Sequence, residues 1–255
     1  MIPAAFEYHR PADIASAVGL LRRLGDEARV LAGGHSLIPM MKLRMAAVEH
    51  LVDLQDIDAL RAIAIEGQSV TIGAMVTQAE LIAHEGLVQA APILREAALQ
   101  IADPQVRYMG TLGGNVANGD PGNDMPGLMQ ALGADFLLTG PDVQREVAAR
   151  DFYEAAYMTA REEDEILTAV RFTALPGGYA YEKQKRKIGD YATAAAAVLI
   201  GKEGGRVSHA SIAMTNLSDT PVWSEAAAAV LTGTDCDAAA IRAATEAALA
   251  DIDPT

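Results

Sequence analysis

Apolar and polar positions change rhythm several times along the chain. From 11 to 24, Ile14, Val18, Leu21 and Leu24 recur on one face. Pro11 suits a first turn and Gly25 a stop, so a helix is predicted there. Short apolar runs at 28–31 and 51–54 read as strands, and 63–65 with 69–72 flank Glu66-Gly67-Gln68 as a hairpin. Helical spacing returns at 77–84, where Thr77 and Glu80 have capping-box spacing, and again at 87–101. The stretch 103–126 is dense in Gly, Asn, Asp and Pro and is predicted as a long loop, a kind of segment that usually carries function.

Strands are predicted at 134–139 and 165–172, and Leu175-Pro176-Gly177-Gly178 marks a boundary. Beyond it, 179–184, 193–201 and 206–214 read as a strand meander. The Ala-rich run at 194–197 favours helix by propensity, but the Gly204-Gly205 turn and the β-rich sequence after it favour a hairpin. Two Ala-rich helices, 224–231 and 237–250, close the chain. Helices and strands mix without regular βαβ alternation, which is an α+β order with a small αβ lobe, a central lobe and a C-terminal lobe.

Composition narrows the possibilities. Among 255 residues, 20 Lys and Arg face 34 Asp and Glu, a net charge of −14, which argues against nucleic acid and anionic membranes as partners. Hydrophobic residues make up 51%, enough for a substantial core. A single cysteine, Cys236, excludes an internal disulfide framework and any iron–sulfur cluster held by this chain alone, and it suits a reducing cytosol. The N-terminus does not read as a signal peptide, and no membrane span is predicted. The five histidines are scattered, so no metal site is predicted.

Two glycine-rich segments carry the candidate chemistry: Ala32-Gly33-Gly34-His35-Ser36 and Thr111-Leu112-Gly113-Gly114-Asn115. Glycines let backbone approach an anion, and successive N–H groups form an anion-binding nest, to which Ser36 and Thr111 add hydroxyl donors. Taken singly, each pair reads equally well as a tight turn; the two together favour grip on a pyrophosphate. Neither is a Gly-x-Gly-x-x-Gly or a P-loop, and Ile38 spoils a nucleophile elbow around Ser36. Asp120 and Asp124 are turn formers or acceptors for ribose hydroxyls or a purine amine. Lys183, Lys185, Arg186 and Lys187 are the one basic cluster, read for most of its members as a solvated strand edge.

These residues, with Gly119-Asp120-Pro121, Asn123-Asp124 and Gly189-Asp190-Tyr191-Ala192, resemble the FAD-binding medium subunits of the molybdenum hydroxylases, the xanthine dehydrogenase group. Within that group the chain is most similar to the aerobic carbon monoxide dehydrogenase branch, over nearly its whole length. The resemblance implies a vanillyl-alcohol-oxidase-type, two-lobed FAD domain at 1–175, with lobes at about 1–55 and 56–175, and a smaller C-terminal α+β domain at 176–255 with an antiparallel sheet and helices. It places Ala32, Gly33, Gly34, His35, Ser36, Leu37 and Thr111, Leu112, Gly113, Gly114, Asn115 on the FAD pyrophosphate. It puts Asp124 towards the ribose or adenine end, Leu167 against FAD through its backbone, and Lys183 and Tyr191 near the isoalloxazine, while Asp120 is expected on the cofactor from its acceptor character.

FAD is implied to be non-covalent, with His35 a loop residue. Molybdopterin belongs to a large partner subunit and two [2Fe–2S] clusters to a small one, in a dimer of heterotrimers. Electrons leave to a quinone, NAD or another acceptor. The expected location is cytoplasmic, with a peripheral post at the inner membrane face as a variant. No residue need be an acid, base or nucleophile, because the flavin carries the redox chemistry. A self-sufficient flavin oxidase or reductase of the same fold is the alternative. Relatives often continue beyond the position of Asp253-Pro254-Thr255 into a further helix.

Overall fold

The computed structural model describes residues 2–254, so Met1 and Thr255, which end the two predicted domains, lie outside the described residues. The chain opens with β1 (Glu7–His9), α1 (Ile14–Leu24), β2 (Ala28–Leu31), α2 (Leu37–Lys42) and β3 (His50–Asp53), whose strands form a parallel sheet in the order β1-β3-β2. Helix α1 covers this sheet with Ala17, Val18 and Leu21, all buried. Its start differs from the expectation. The Asp13 carboxylate accepts the Ser16 N–H at 2.7 Å, and this cap sets the first turn at Ile14 rather than at Pro11. Gly25 ends the helix as predicted, and its N–H bonds the Leu21 carbonyl.

The central region comprises β4 (Ile63–Glu66), β5 (Ser69–Gly73), α3 (Gln78–Ala83), α4 (Glu85–Ala90), α5 (Pro92–Gln100), α6 (Pro104–Met109), α7 (Leu112–Ala117) and α8 (Asp124–Leu132). It continues through β6 (Asp135–Thr139), β7 (Gln144–Ala148), the small β8 (Tyr153–Ala155) and β9 (Met158–Thr159) pair, and β10 (Ile166–Thr173). The antiparallel sheet runs β4-β5-β10-β6-β7. The Thr77 capping box forms on α3 as expected.

Three expectations are corrected here. The helix predicted at 87–101 is two helices, because Pro92 has no N–H to continue the first and opens the second at its first turn. The loop predicted at 103–126 holds α6, α7 and the start of α8. Asp103 and Thr111 are caps: Asp103 takes the Val106 N–H and Thr111 the Gly114 N–H. Strand β3 also starts one residue earlier than the predicted 51–54.

The C-terminal sheet is antiparallel, β11 (Gly178–Gln184), β12 (Ala194–Glu203), β13 (Arg206–Thr215) and β14 (Val222–Trp223), backed by α9 (Glu225–Leu231) and α10 (Ala238–Ala250). Strand β12 contains the whole Ala-rich run, so strand pairing overrides helix propensity there. Helix α8 is buried from Asp124 to Ala131 and lies between the central core and this sheet. The α+β class expected from the sequence is the one observed, and no helix among the described residues is long and apolar enough to cross a membrane.

Candidate cofactor-binding site

The parallel strands β2 and β3 direct their carboxyl ends to one edge, the end of an open sheet where ligands bind. There the chain leaves Leu31, turns through Ala32, Gly33, Gly34, His35 and Ser36, and enters α2 at Leu37. Gly34 makes the turn at φ 75°, a left-handed conformation that favours glycine. The backbone N–H groups of Gly33, Gly34, His35 and Ser36 donate to no protein acceptor among the described residues, and the Ser36 hydroxyl does not cap α2. Four consecutive uncommitted N–H groups leading into a helix make a concavity suited to an anion. His35 is exposed.

The second glycine segment behaves differently. Thr111 bridges Thr77, the Leu112 and Gly113 N–H groups bond the Val76 and Ala74 carbonyls at 2.8 Å, and the Gly114 N–H donates to Thr111 Oγ1 at 3.0 Å. The Asn115 N–H is spent on the Thr111 carbonyl. This segment is a stiff wall, whereas the first is an open nest. The two touch. A Cβ on Gly33 would lie 2.2 Å from the Met109 carbonyl oxygen, and one on Gly114 would lie 3.4 Å from the Ala32 Cβ. Asn115 then ties the wall to α8, its side-chain oxygen accepting the Met125 N–H at 3.2 Å and its carbonyl the Asn123 amide at 2.9 Å.

Asp120 closes a turn by accepting the Gly122 N–H at 3.0 Å, and the Tyr191 ring rests against Gly122. Burial first, then the neighbouring Asp120 carboxylate, raises the pKa of the Tyr157 and Tyr191 phenols. Tyr191 remains 57% exposed, an open aromatic face beside Gly122. Leu167 is buried in β10, where the register with β6 shifts between Leu167 and Ala169. The adjacent Thr168 carbonyl accepts the Ala74 N–H at 2.9 Å, next to the Gly113 wall.

Asp124 and Lys183 are found on each other. Lys183 Nζ lies 2.8 Å from Asp124 Oδ2, with both side chains buried, and the Tyr181 hydroxyl donates to Asp124 Oδ1 at 2.6 Å. Burial and Asp124 hold the Tyr181 phenol far above its ordinary value. The resemblance sets Asp124 and Lys183 towards different ends of FAD; here they meet each other, and each Asp124 carboxylate oxygen already has one protein partner. Arg186 and Lys187 are exposed but lie past β11, which ends at Gln184, so the strand-edge reading gives way to a solvated turn, while Lys185 reaches the Gln100 side chain at 3.1 Å.

Sequence reasoning missed Tyr181 and Tyr157. Period-2 alternation places Tyr181 on the same face of β11 as Lys183, and that signal was available. Tyr157 reaches the site from a turn at φ 62°, which no sequence pattern announces.

Residues 4–174 match the family described as the FAD binding domain in molybdopterin dehydrogenase, and residues 179–255 match the CO dehydrogenase flavoprotein C-terminal domain. The carbon monoxide dehydrogenase medium chain of Afipia carboxidovorans is 60% identical over 243 residues, covering 94% of this chain and 84% of that protein. The medium chain of the same name from Hydrogenophaga pseudoflava is 48% identical over 256 residues, covering 100% of this chain and 89% of that one. Among solved structures, the cyanide-inactivated Cu,Mo-CO dehydrogenase superposes with a TM-score of 0.98 at 59% identity, covering 100% of this chain and 90% of that chain.

Proposed function

Because the chain belongs to the FAD-binding subunits of the molybdopterin dehydrogenases, and so is the flavoprotein medium subunit of a molybdenum hydroxylase like carbon monoxide dehydrogenase, we propose that it serves as an electron-transfer subunit. It takes electrons from [2Fe–2S] clusters on a small partner and passes them to a quinone, NAD or another acceptor. A large partner holds molybdopterin and oxidises the substrate, in a dimer of heterotrimers. The 176–255 unit forms a C-terminal domain beginning after Leu175.

The observation that carries this reading is the nest of uncommitted N–H groups at Gly33, Gly34, His35 and Ser36, packed against the Thr111 segment. Its donors suit the pyrophosphate of FAD, and the open Tyr191 face suits a flat ring. When bound, FAD supplies the redox chemistry. The nest would hold the pyrophosphate, with Ser36 and Thr111 adding hydroxyl donors and the wall from Leu112 to Asn115 backing it. Leu167 lines the site through its backbone. Asp120 holds the turn on which Tyr191 rests, and Tyr191 covers the ring. Asp124 and Lys183 together are electrically neutral, and they lock the strand that leads to Tyr191 onto α8. Binding is non-covalent, and His35 is a loop residue.

The test uses the assembled complex carrying Gly33→Val in this chain. Substrate should still reduce the iron–sulfur clusters, while flavin content and transfer to the acceptor are lost together. Undiminished acceptor turnover without flavin would contradict the proposal.

A further inference from the structure

The far end of the parallel sheet carries a second cluster that the flavin reading does not use. Glu7 and His9 are two residues apart on β1 and share a face. In the parallel register, Glu7 lies opposite His50, the first residue of β3. This brings His9 Nε2 and His50 Nδ1 to 3.1 Å, His50 Nδ1 and Glu7 Oε2 to 3.4 Å, and His9 Nε2 and Glu7 Oε2 to 3.9 Å. All three atoms fall within 4.8 Å of one another. A tetrahedral metal with bonds of about 2.05 Å keeps its ligand atoms about 3.4 Å apart, so the triangle has the dimensions of one tetrahedral face.

The outer contacts agree with a ligand role. His50 turns its other nitrogen, Nε2, towards Glu27 Oε2 at 3.9 Å. When Nδ1 ligates the metal, the ring proton sits on Nε2, the side that Glu27 faces. The imidazoles are 23% and 15% exposed, and the Glu7 side chain is 73% exposed, so the site is shaped by the sheet yet open to solvent on one side.

We propose that Glu7, His9 and His50 bind a divalent transition metal of the zinc class through two imidazole nitrogens and one carboxylate oxygen, with the fourth position open to water. The sheet register builds the site from residues that lie in separate parts of the sequence. Glu7 and His50 open β1 and β3 and His9 ends β1, whereas the cofactor nest follows the carboxyl end of β2, so the two sites share no residue. The competing account of the 3.1 Å contact is an N–H···N hydrogen bond between two neutral imidazoles, with no metal involved.

Titration of the full chain with Zn2+, in a Cys236→Ser background to remove the thiol, separates the two accounts. One equivalent should bind. His9→Ala and His50→Ala should each weaken binding by more than about a hundredfold, beyond the roughly 10–100-fold that loss of an outer contact usually costs, while His209→Ala leaves it unchanged. Co2+ in the same site should give the visible spectrum of a tetrahedral ion, and the flavin spectrum should not move on metal addition. The proposal is overturned if the parent chain takes up no stoichiometric Zn2+. It is equally overturned if His9→Ala and His50→Ala, shown to be folded by circular dichroism, bind Zn2+ as tightly as the parent.

Discussion

At the seam between the glycine segments, the space of one methyl group decides whether the nest keeps its shape. Gly114→Val would press against Thr111 Oγ1, 2.8 Å from the position of a Cβ there, and against Ala32 beyond it. We expect this variant to fold and lose flavin, read as the ratio of flavin to protein absorbance after purification; full flavin content would refute the placement. A deeper residue effect belongs to Asp124. Asp124→Asn strands the buried Lys183 ammonium, and loss of one partner of a buried pair costs about 3–5 kcal/mol. Urea denaturation should show that loss, and a variant of wild-type stability would count against the pair as a structural lock. The glycine motifs were legible because their spacing is local. The Asp124–Lys183 contact was not, since it joins residues 59 positions apart across two sheets and a helix.

Among the elements, β10 shows how one carboxylate fixes a strand entry. Glu165, just before β10, receives Arg145 from β7 through two bonds of 2.7 and 2.8 Å and the Glu162 N–H at 2.9 Å. The Arg145 hydrogen bonds, against the opposing effect of burial, hold the Glu165 carboxyl below its ordinary 4.5. A lowered folded value means the unfolded chain binds the proton first as pH falls, so the stabilisation is complete above pH 4.5 and is lost below it. The stability gap between wild type and Glu165→Gln should therefore stay constant at neutral pH and close in acid. A gap that widened on acidification would contradict the assignment. Element reading from sequence worked where periodicity was strong, as in the β4–β5 hairpin and the three long C-terminal strands. It failed between 103 and 126 because Asp, Asn and Gly serve caps and loops alike, and six-residue helices such as α6 and α7 are too short to show a period.

Across the whole molecule, α8 is the joint. Buried along nearly its length, it presses Gly127 against Thr215 of β13 and carries Asp124 to meet Tyr181 and Lys183 of β11. The Tyr191 side of the site is thereby held to the glycine wall by a helix with no exposed face. The class of the fold was legible from the order of elements. The packing of one sheet on another through α8 was not, because a helix buried on all sides carries no amphipathic pattern. A visible absorption spectrum of the purified chain, followed by acid precipitation, tests the central claim most directly. The account predicts a flavin spectrum, restored by added FAD if the cofactor was lost, with FAD released to the supernatant. Colour retained in the pellet would contradict non-covalent binding, and a chain that takes up no added FAD would contradict the cofactor site itself.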